Sequence, residues 1–171
     1  MEMIVVLHNI RSVYNVGAIL RTVEGFGFKD VIISGYTPNI HDSNLLPHIR
    51  EKLRREIHKT ALGAENMLGV LTPYNIYDIE SLLEYYRNLG WQIIGLENNI
   101  SRRPIYKLND SKLKKVLSDK IILVLGEEVN GINPDLYLYI DFFVEIPMKG
   151  KKESFNVSVA AGIAMYGIMN L

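Results

Sequence analysis

An α/β fold with a mostly parallel sheet flanked by helices is predicted by three observations. Five short runs, Met3–Leu7 (MIVVL), Asp30–Ser34 (DVIIS), Trp91–Leu96 (WQIIGL), Ile121–Leu125 (IILVL) and Phe142–Ile146 (FFVEI), are nearly continuous in apolar residues. Strands buried on both faces read that way, and antiparallel strands with one wet face do not. Segments with helical spacing separate these runs, the alternation of a parallel sheet with crossover helices. The chemically distinctive polar residues follow the strands directly, where ligands sit in such sheets.

Taken in order, Met3–Leu7 is the first strand. Asn15–Glu24 has Val16, Ile19, Leu20 and Val23 on one helical face, with Asn15 able to cap it and Gly25 and Gly27 to stop it. After the strand Asp30–Ser34, Tyr36–His48 has turn chemistry, and His48–Thr60 is polar and basic with helical character. Val70–Thr72 is a short strand candidate, and Ile79–Asn88 an amphipathic helix ended by Gly90. The strand Trp91–Leu96 leads to a short basic helix, Ser111–Leu117. Ile121–Leu125 is the clearest buried strand, Phe142–Ile146 the last, and a helix finishes the chain. There is no internal repeat or low-complexity tract, and one domain spanning 1–171 is expected.

Composition excludes several chemistries. The 171 residues include no cysteine, which removes disulfides, thiolate metal sites and cysteine nucleophiles. The four histidines (His8, His41, His48, His58) have no metal-ligand spacing, so no metal is expected. The N-terminal apolar run is too short for a signal peptide. Ser154 to Leu171 holds no charged side chain, but its 18 residues fall short of the ~20 of a membrane span. A soluble, cytoplasmic protein without membrane contact is expected. Basic and acidic residues balance at 19 each, which lends no support to nucleic-acid binding. The basic residues are nevertheless clustered, at Arg50–Lys59 (Arg50, Lys52, Arg54, Arg55, His58, Lys59), at Arg102, Arg103 and Lys107, and at Lys149, Lys151 and Lys152. Any one such cluster is by itself most simply a solvated face.

Three segments carry chemistry. His8–Thr22 (HNIRSVYNVGAILRT) follows the first strand; Asn9 and Asn15 can fix a loop, and Gly17 permits close approach of another segment. Arg21, on an otherwise apolar helix, is either a buried ion-pair partner or a clamp for phosphate or carboxylate. Leu125–Ile132 (LGEEVNGI) puts two carboxylates at a strand's carboxyl end, alone a weak signal that a solvated turn also explains. No dinucleotide or Walker glycine pattern is present. Ile146–Leu171 (IPMKGKKESFNVSVAAGIAMYGIMNL) is a lysine-bearing loop feeding a charge-free helix, with Asn156 and Ser158 where the helix leaves backbone N–H groups unpaired.

Together these segments resemble the three motifs of the SpoU-type (TrmH-like) RNA 2′-O-ribose methyltransferases of the SPOUT class. The first motif corresponds to Asn15, Gly17, Arg21 and Thr22. The second, Leu-Gly-x-Glu or close variants, corresponds to Leu125, Gly126, Glu127 and Glu128 with Gly131 and Ile132. The third corresponds to Ile146, Pro147, Met148, Gly150, Ser154, Phe155, Asn156, Val157, Ser158 and Ala160. The order is right and the likeness spans nearly the whole chain; Phe155 stands where leucine is usual.

That resemblance implies a SPOUT fold whose C-terminal third forms a trefoil knot around S-adenosylmethionine. It implies a cofactor cradle of Leu96, Glu97, Gly126, Ile146, Met148, Ser154, Phe155 and Asn156. The implied reaction is methyl transfer to a ribose 2′-hydroxyl. The arginine matching Arg21 is assigned in the family to hydroxyl activation; a guanidinium is a poor base, which favours a phosphate clamp and oxyanion stabiliser. Glu127 and Asn156 would position Arg21 or the ribose, and Asn15 would shape the loop. Relatives are homodimers with active sites across the interface, and many carry an additional N-terminal RNA-binding domain; this chain is expected to be the minimal form. RNA would then be gripped by Arg11, Arg50, Arg54, Arg55, Lys149, Lys151 and Lys152, with tRNA favoured over rRNA. A helix apolar all round also points to a partner, since one small domain covers one side, unless it lies wholly inside one subunit. The alternatives are a base-directed SPOUT methyltransferase and a non-catalytic RNA-binding dimer that has kept the fold.

Overall fold

The computed structural model describes residues 1–72, 78–98, 100–101 and 103–171. Its elements run β1 (Glu2–His8), α1 (Val13–Gly25), β2 (Asp30–Ser34), α2 (Pro47–Ala61), β3 (Gly69–Leu71), α3 (Ile79–Asn88), β4 (Gln92–Leu96), β5 (Ile105–Lys107), α4 (Ser111–Val116), β6 (Lys120–Leu125), β7 (Phe142–Glu145) and α5 (Val157–Met169). Short 3-10 turns lie at Ala64–Asn66 and Pro134–Tyr139. The seven strands form one sheet in the order β3-β2-β1-β6-β4-β7-β5, and every pair between them is parallel.

Side chains of period two divide each strand between two cores. In β1, Met3, Val5 and Leu7 enter one core while Ile4 and Val6 enter the other. In β6, Ile121, Leu123 and Leu125 oppose Ile122 and Val124 in the same way. The first core is roofed by α1, α2, α4 and α5, the second by α3 and the Pro134–Tyr139 turn. Burial on both faces is why these strands read as continuous apolar runs.

The first helix starts earlier than the spacing of its apolar residues suggests. Ser12, not Asn15, is its cap, its hydroxyl accepting from the Asn15 N–H at 3.3 Å. Asn15 therefore sits in the first turn with its amide free to cross to another segment. Gly17 is the close-approach glycine anticipated: a Cβ there would strike Thr60 Oγ1 and the Ile57 carbonyl of α2.

The C-terminal end of α2 is held by a buried acid. Glu65 is 1% exposed; it accepts from the Gly63 N–H at 2.9 Å and lies 2.7 Å from His58 Nδ1. Burial pushes its pKa up, but the His58 and backbone donors more than offset this and hold it below the usual carboxylate value. The folded value being depressed, the stabilisation is full above about pH 4.3 and fades as pH falls through the folded pKa. Glu65→Ala is expected to cost about 1 kcal/mol by removing the acceptor of the part-buried Gly63 N–H and of His58, whose exposed ring can turn to water instead. A thermal melt at pH 7 should show this loss, and one near pH 3 should show the gap to wild type narrowed.

The last helix, α5, is capped by Asn156, whose Oδ1 accepts from the Ser158 N–H at 2.9 Å. Ala161, Ala164, Met165 and Ile168 are buried, while Val159, Tyr166 and Met169 on the other side are 50%, 62% and 43% exposed. The helix is apolar all round but covered on one side. Thr22 of α1 packs against Gly162, and the Phe26 and Tyr166 rings lie 6.4 Å apart. Among the described residues, no helix is long and apolar enough to cross a membrane, and no group of three or more His, Asp or Glu could hold a metal.

Candidate active site

Because all strands are parallel, the ends of β1, β6, β4 and β7 open on one edge of the sheet. From β1 the chain pairs outward to β2 on one side while β6 returns on the other, and ligands of open α/β sheets sit at such a reversal. A cavity of about 410 Å³ lies on this edge. Its walls come from the ends of β4 (Leu96, Glu97, Asn98) and β6 (Leu125 to Val129 and Gly131), and from Ile146 and the Ser154–Val157 segment with Ala160. A second, smaller hollow of about 260 Å³ shares Asn98 and Ile146 with it and adds Lys107, Glu145, Pro147, Met148 and Glu153.

Two glycines allow the walls to close. Any Cβ on Gly126 would collide with the backbone of Gly131 and Ile132. Gly131 itself has φ +70°, and its face is covered by the Glu97 carboxylate. Glu97 is anchored there, accepting from the Ile132 N–H at 3.1 Å and the Asn98 N–H at 3.0 Å. Backbone bonds between Glu127 and Gly131, at 3.0 and 3.1 Å, close the turn.

Glu128 joins the segments. Its carboxylate accepts from the Arg11 N–H at 3.2 Å, the Ser12 N–H at 3.2 Å and Asn15 Nδ2 at 3.0 Å. Asn15 Oδ1 in turn accepts from Asn156 Nδ2 at 3.1 Å. Partial burial pushes the Glu128 pKa up, but these donors outweigh it and hold the carboxyl below its ordinary value. Glu127 points elsewhere. It takes the Tyr36 hydroxyl and the Asn130 amide, with Arg11 Nη2 at 3.2 Å. Those donors, the tyrosine first, keep Glu127 ionised below the usual range.

The loop after β1 is pinned from β2. His8 is buried, and burial pushes its pKa down, so the ring is neutral. Asn9 Nδ2 donates to His8 Nε2 at 3.1 Å, which leaves the proton on Nδ1 for Ser34 Oγ at 2.9 Å. Thr37 Oγ1 donates to the Leu7 carbonyl at 2.9 Å and accepts from the Ile10 N–H at 3.0 Å.

The model of the SpoU rRNA methylase family matches residues 2–166. The chain belongs to the SpoU family. The 23S rRNA (guanosine-2′-O-)-methyltransferase RlmB of Xylella fastidiosa is 31% identical over 164 residues, 96% of this chain and 57% of that protein. An uncharacterized tRNA/rRNA methyltransferase of Borreliella burgdorferi is 31% identical over 165 residues, 96% of this chain and 62% of its own length. The chain thus spans less than two thirds of these curated relatives. Among solved structures, a TrmH-family protein of Porphyromonas gingivalis superposes with a TM-score of 0.75 at 24% identity, covering 97% of this chain and 58% of that one. The α/β architecture with its parallel sheet is therefore the SPOUT fold.

In this SpoU chain the expected cradle residues Leu96, Glu97, Gly126, Ile146, Ser154, Phe155 and Asn156 all line the larger cavity, and Met148 lines the smaller one. Asn15 and Asn156 are bonded to each other. Glu127 lines the cavity, but its partners are Tyr36, Asn130 and Arg11 rather than Arg21. Arg21 lies on the exposed face of α1 and lines neither cavity. Six residues beyond Asn15, it is about 9 Å further along the helix and about 120° round it. Arg50 is spent on structure, its Nη2 donating to the carbonyls of Asp42 at 2.9 Å and Leu45 at 3.3 Å. Arg54, Arg55, Lys149, Lys151 and Lys152 are exposed, and Arg102 lies outside the described residues. Glu128 was missed as a site residue, although the Leu-Gly-x-Glu pattern puts its acid at that position.

Proposed function

We propose that the chain is an S-adenosylmethionine-dependent RNA methyltransferase acting on a ribose 2′-hydroxyl. The observation that carries this reading is the Glu128–Asn15–Asn156 relay, which ties all three motif segments together at the rim of one cavity. That cavity suits the cofactor in size and lining: about 410 Å³, walled by Leu96, Leu125, Ile146, Val157 and Ala160, with the bare backbone of Gly126 and Gly131 beside them. When bound, S-adenosylmethionine supplies an electrophilic methyl on a sulfonium centre. The trefoil knot belongs to the same reading, supported by crowding of the segments after β4, β6 and β7, where Asn98 Nδ2 donates to the Glu153 carbonyl at 3.0 Å.

Asn156 and Asn15 would hold the ribose edge, and Arg21 would clamp the substrate phosphate and steady charge on the attacking oxygen. Arg21 precedes Thr22, which packs on α5, the helix that carries the open apolar stripe of Val159, Tyr166 and Met169. A second copy seated on that stripe would bring Arg21 to a rim shared by two sites. Sedimentation at micromolar concentration should find two copies for wild type and one for Tyr166→Asp; a monomeric wild type would overturn the dimer.

Arg54, Arg55, Lys149, Lys151 and Lys152 would grip the RNA backbone, with modest affinity that falls with salt. Transfer RNA is the substrate we favour, a class that the Borreliella relative's name includes, and the cytoplasm the expected compartment. The Xylella relative's name favours ribosomal RNA as the competing target. Both are tested together by incubating the protein and cofactor with RNA from cells lacking the gene and mapping ribose methylation by mass spectrometry. A new 2′-O-methyl group at one position is the expected result; none in either RNA pool, with no calorimetric binding of the cofactor, would sink the reading.

A further inference from the structure

Tyr36 follows the carboxyl end of β2 and is 47% exposed, although its position is fixed at both ends. Its N–H donates to Asn9 Oδ1 at 3.2 Å, and its hydroxyl donates to Glu127, a residue of the cavity wall. The Arg11 guanidinium carbon stands 5.8 Å from the ring centroid, and its Nη2 is 3.2 Å from the same Glu127 oxygen that receives the phenol. Arg11 keeps 64% of its side chain in water. Burial and the neighbouring Glu127 push the phenol pKa up, so the ring stays a neutral donor in this arrangement. An exposed ion pair of this kind contributes little stability. What the four residues achieve is to hold an aromatic ring and a guanidinium plane in place, open to solvent, one residue away from the cavity.

We infer that Tyr36, backed by Arg11, is the platform on which an unpaired base of the bound RNA stacks, positioning the ribose over the cavity. This rests on the RNA methyltransferase reading. Sequence-specific proteins take RNA in single-stranded segments, stacking splayed bases on aromatic rings and arginine planes. A base gripped that way is sequence-tolerant on its face, and a ring already clamped in place loses no rotamer freedom on binding. Tyr36 is thus a positioning residue, acting on the substrate's base and not on the transferred methyl.

The test compares wild type with Tyr36→Phe, which keeps the ring and loses the bond to Glu127, and Tyr36→Leu, which loses the ring. Methyl transfer is measured on RNA from cells lacking the gene, and cofactor affinity by calorimetry as a check on folding. Tyr36→Phe should stay within about threefold of wild type, while Tyr36→Leu should fall about tenfold or more in kcat/KM, carried by KM, with cofactor affinity unchanged. A short single-stranded RNA carrying 2-aminopurine should be quenched by wild type and Tyr36→Phe but not by Tyr36→Leu. Wild-type KM in Tyr36→Leu, or equal impairment of the Phe and Leu variants, overturns the platform. Wild type that methylates no RNA overturns the methyltransferase reading instead, and the quenching comparison then decides the platform alone.

Discussion

Arg21→Ala is expected to lower kcat for methyl transfer by about 10²–10³-fold while leaving S-adenosylmethionine affinity within about twofold. The split follows from where the side chain sits. Arg21 is exposed on α1, about 9 Å along the helix from Asn15, and is absent from both cavity walls. Removing it leaves the cavity as it is and removes a cation that the substrate phosphate and the developing oxyanion would face. Lysine restores charge but not the planar fork, so Arg21→Lys should recover only part of the loss. Initial rates at saturating cofactor, paired with calorimetry, separate the two effects. Normal turnover in Arg21→Ala would take the residue out of the mechanism.

Glu128→Ala should cost about 100-fold in kcat/KM, and more than Glu127→Ala, which is expected to cost under tenfold. Three donors converge on Glu128: the N–H groups of Arg11 and Ser12 and the Asn15 amide. Charge-assisted bonds of this kind are about twice as strong as neutral ones, and here they join the segment before α1 to the end of β6. Without the carboxylate, Asn15 keeps only its bond to Asn156 and the loop loses its register. Glu128→Gln keeps one acceptor and should fall between wild type and Ala. Equal losses for Glu127→Ala and Glu128→Ala would show that the relay does not organise the site.

Much of the architecture is legible in the chain because burial on both sheet faces writes strands as unbroken apolar runs. The strands β1, β2, β4, β6 and β7 are of that kind. The short strand β5 (IYK) is not; it spans three residues at the sheet edge, half-buried or exposed, and carries no hydrophobic period. The turn Pro134–Tyr139 is equally silent, because a 3-10 segment buries only Leu136 and shows no helical stripe. At the site, the cavity-lining residues are legible as motifs, whereas the choice between Glu127 and Glu128 is not. Adjacent carboxylates are interchangeable on paper; only the turn through Gly131 decides which one faces Asn15 and which faces Tyr36. Arg50 illustrates the converse: a basic cluster reads as one patch, and the fold withdraws one member to satisfy backbone carbonyls.

The placement of β1 between β2 and β6 governs the order in which the molecule can assemble. The second strand to be made can dock on the first soon after synthesis, but the other flank of β1 stays bare until Lys120–Leu125 has emerged. The Asn15–Asn156 bond comes later still, bridging 141 positions. Long-range parallel pairing of this sort is slow and leaves apolar edges open to aggregation meanwhile. A nascent chain would therefore lack the Glu128–Asn15–Asn156 relay until the segment carrying Asn156 has been made, after all seven strands.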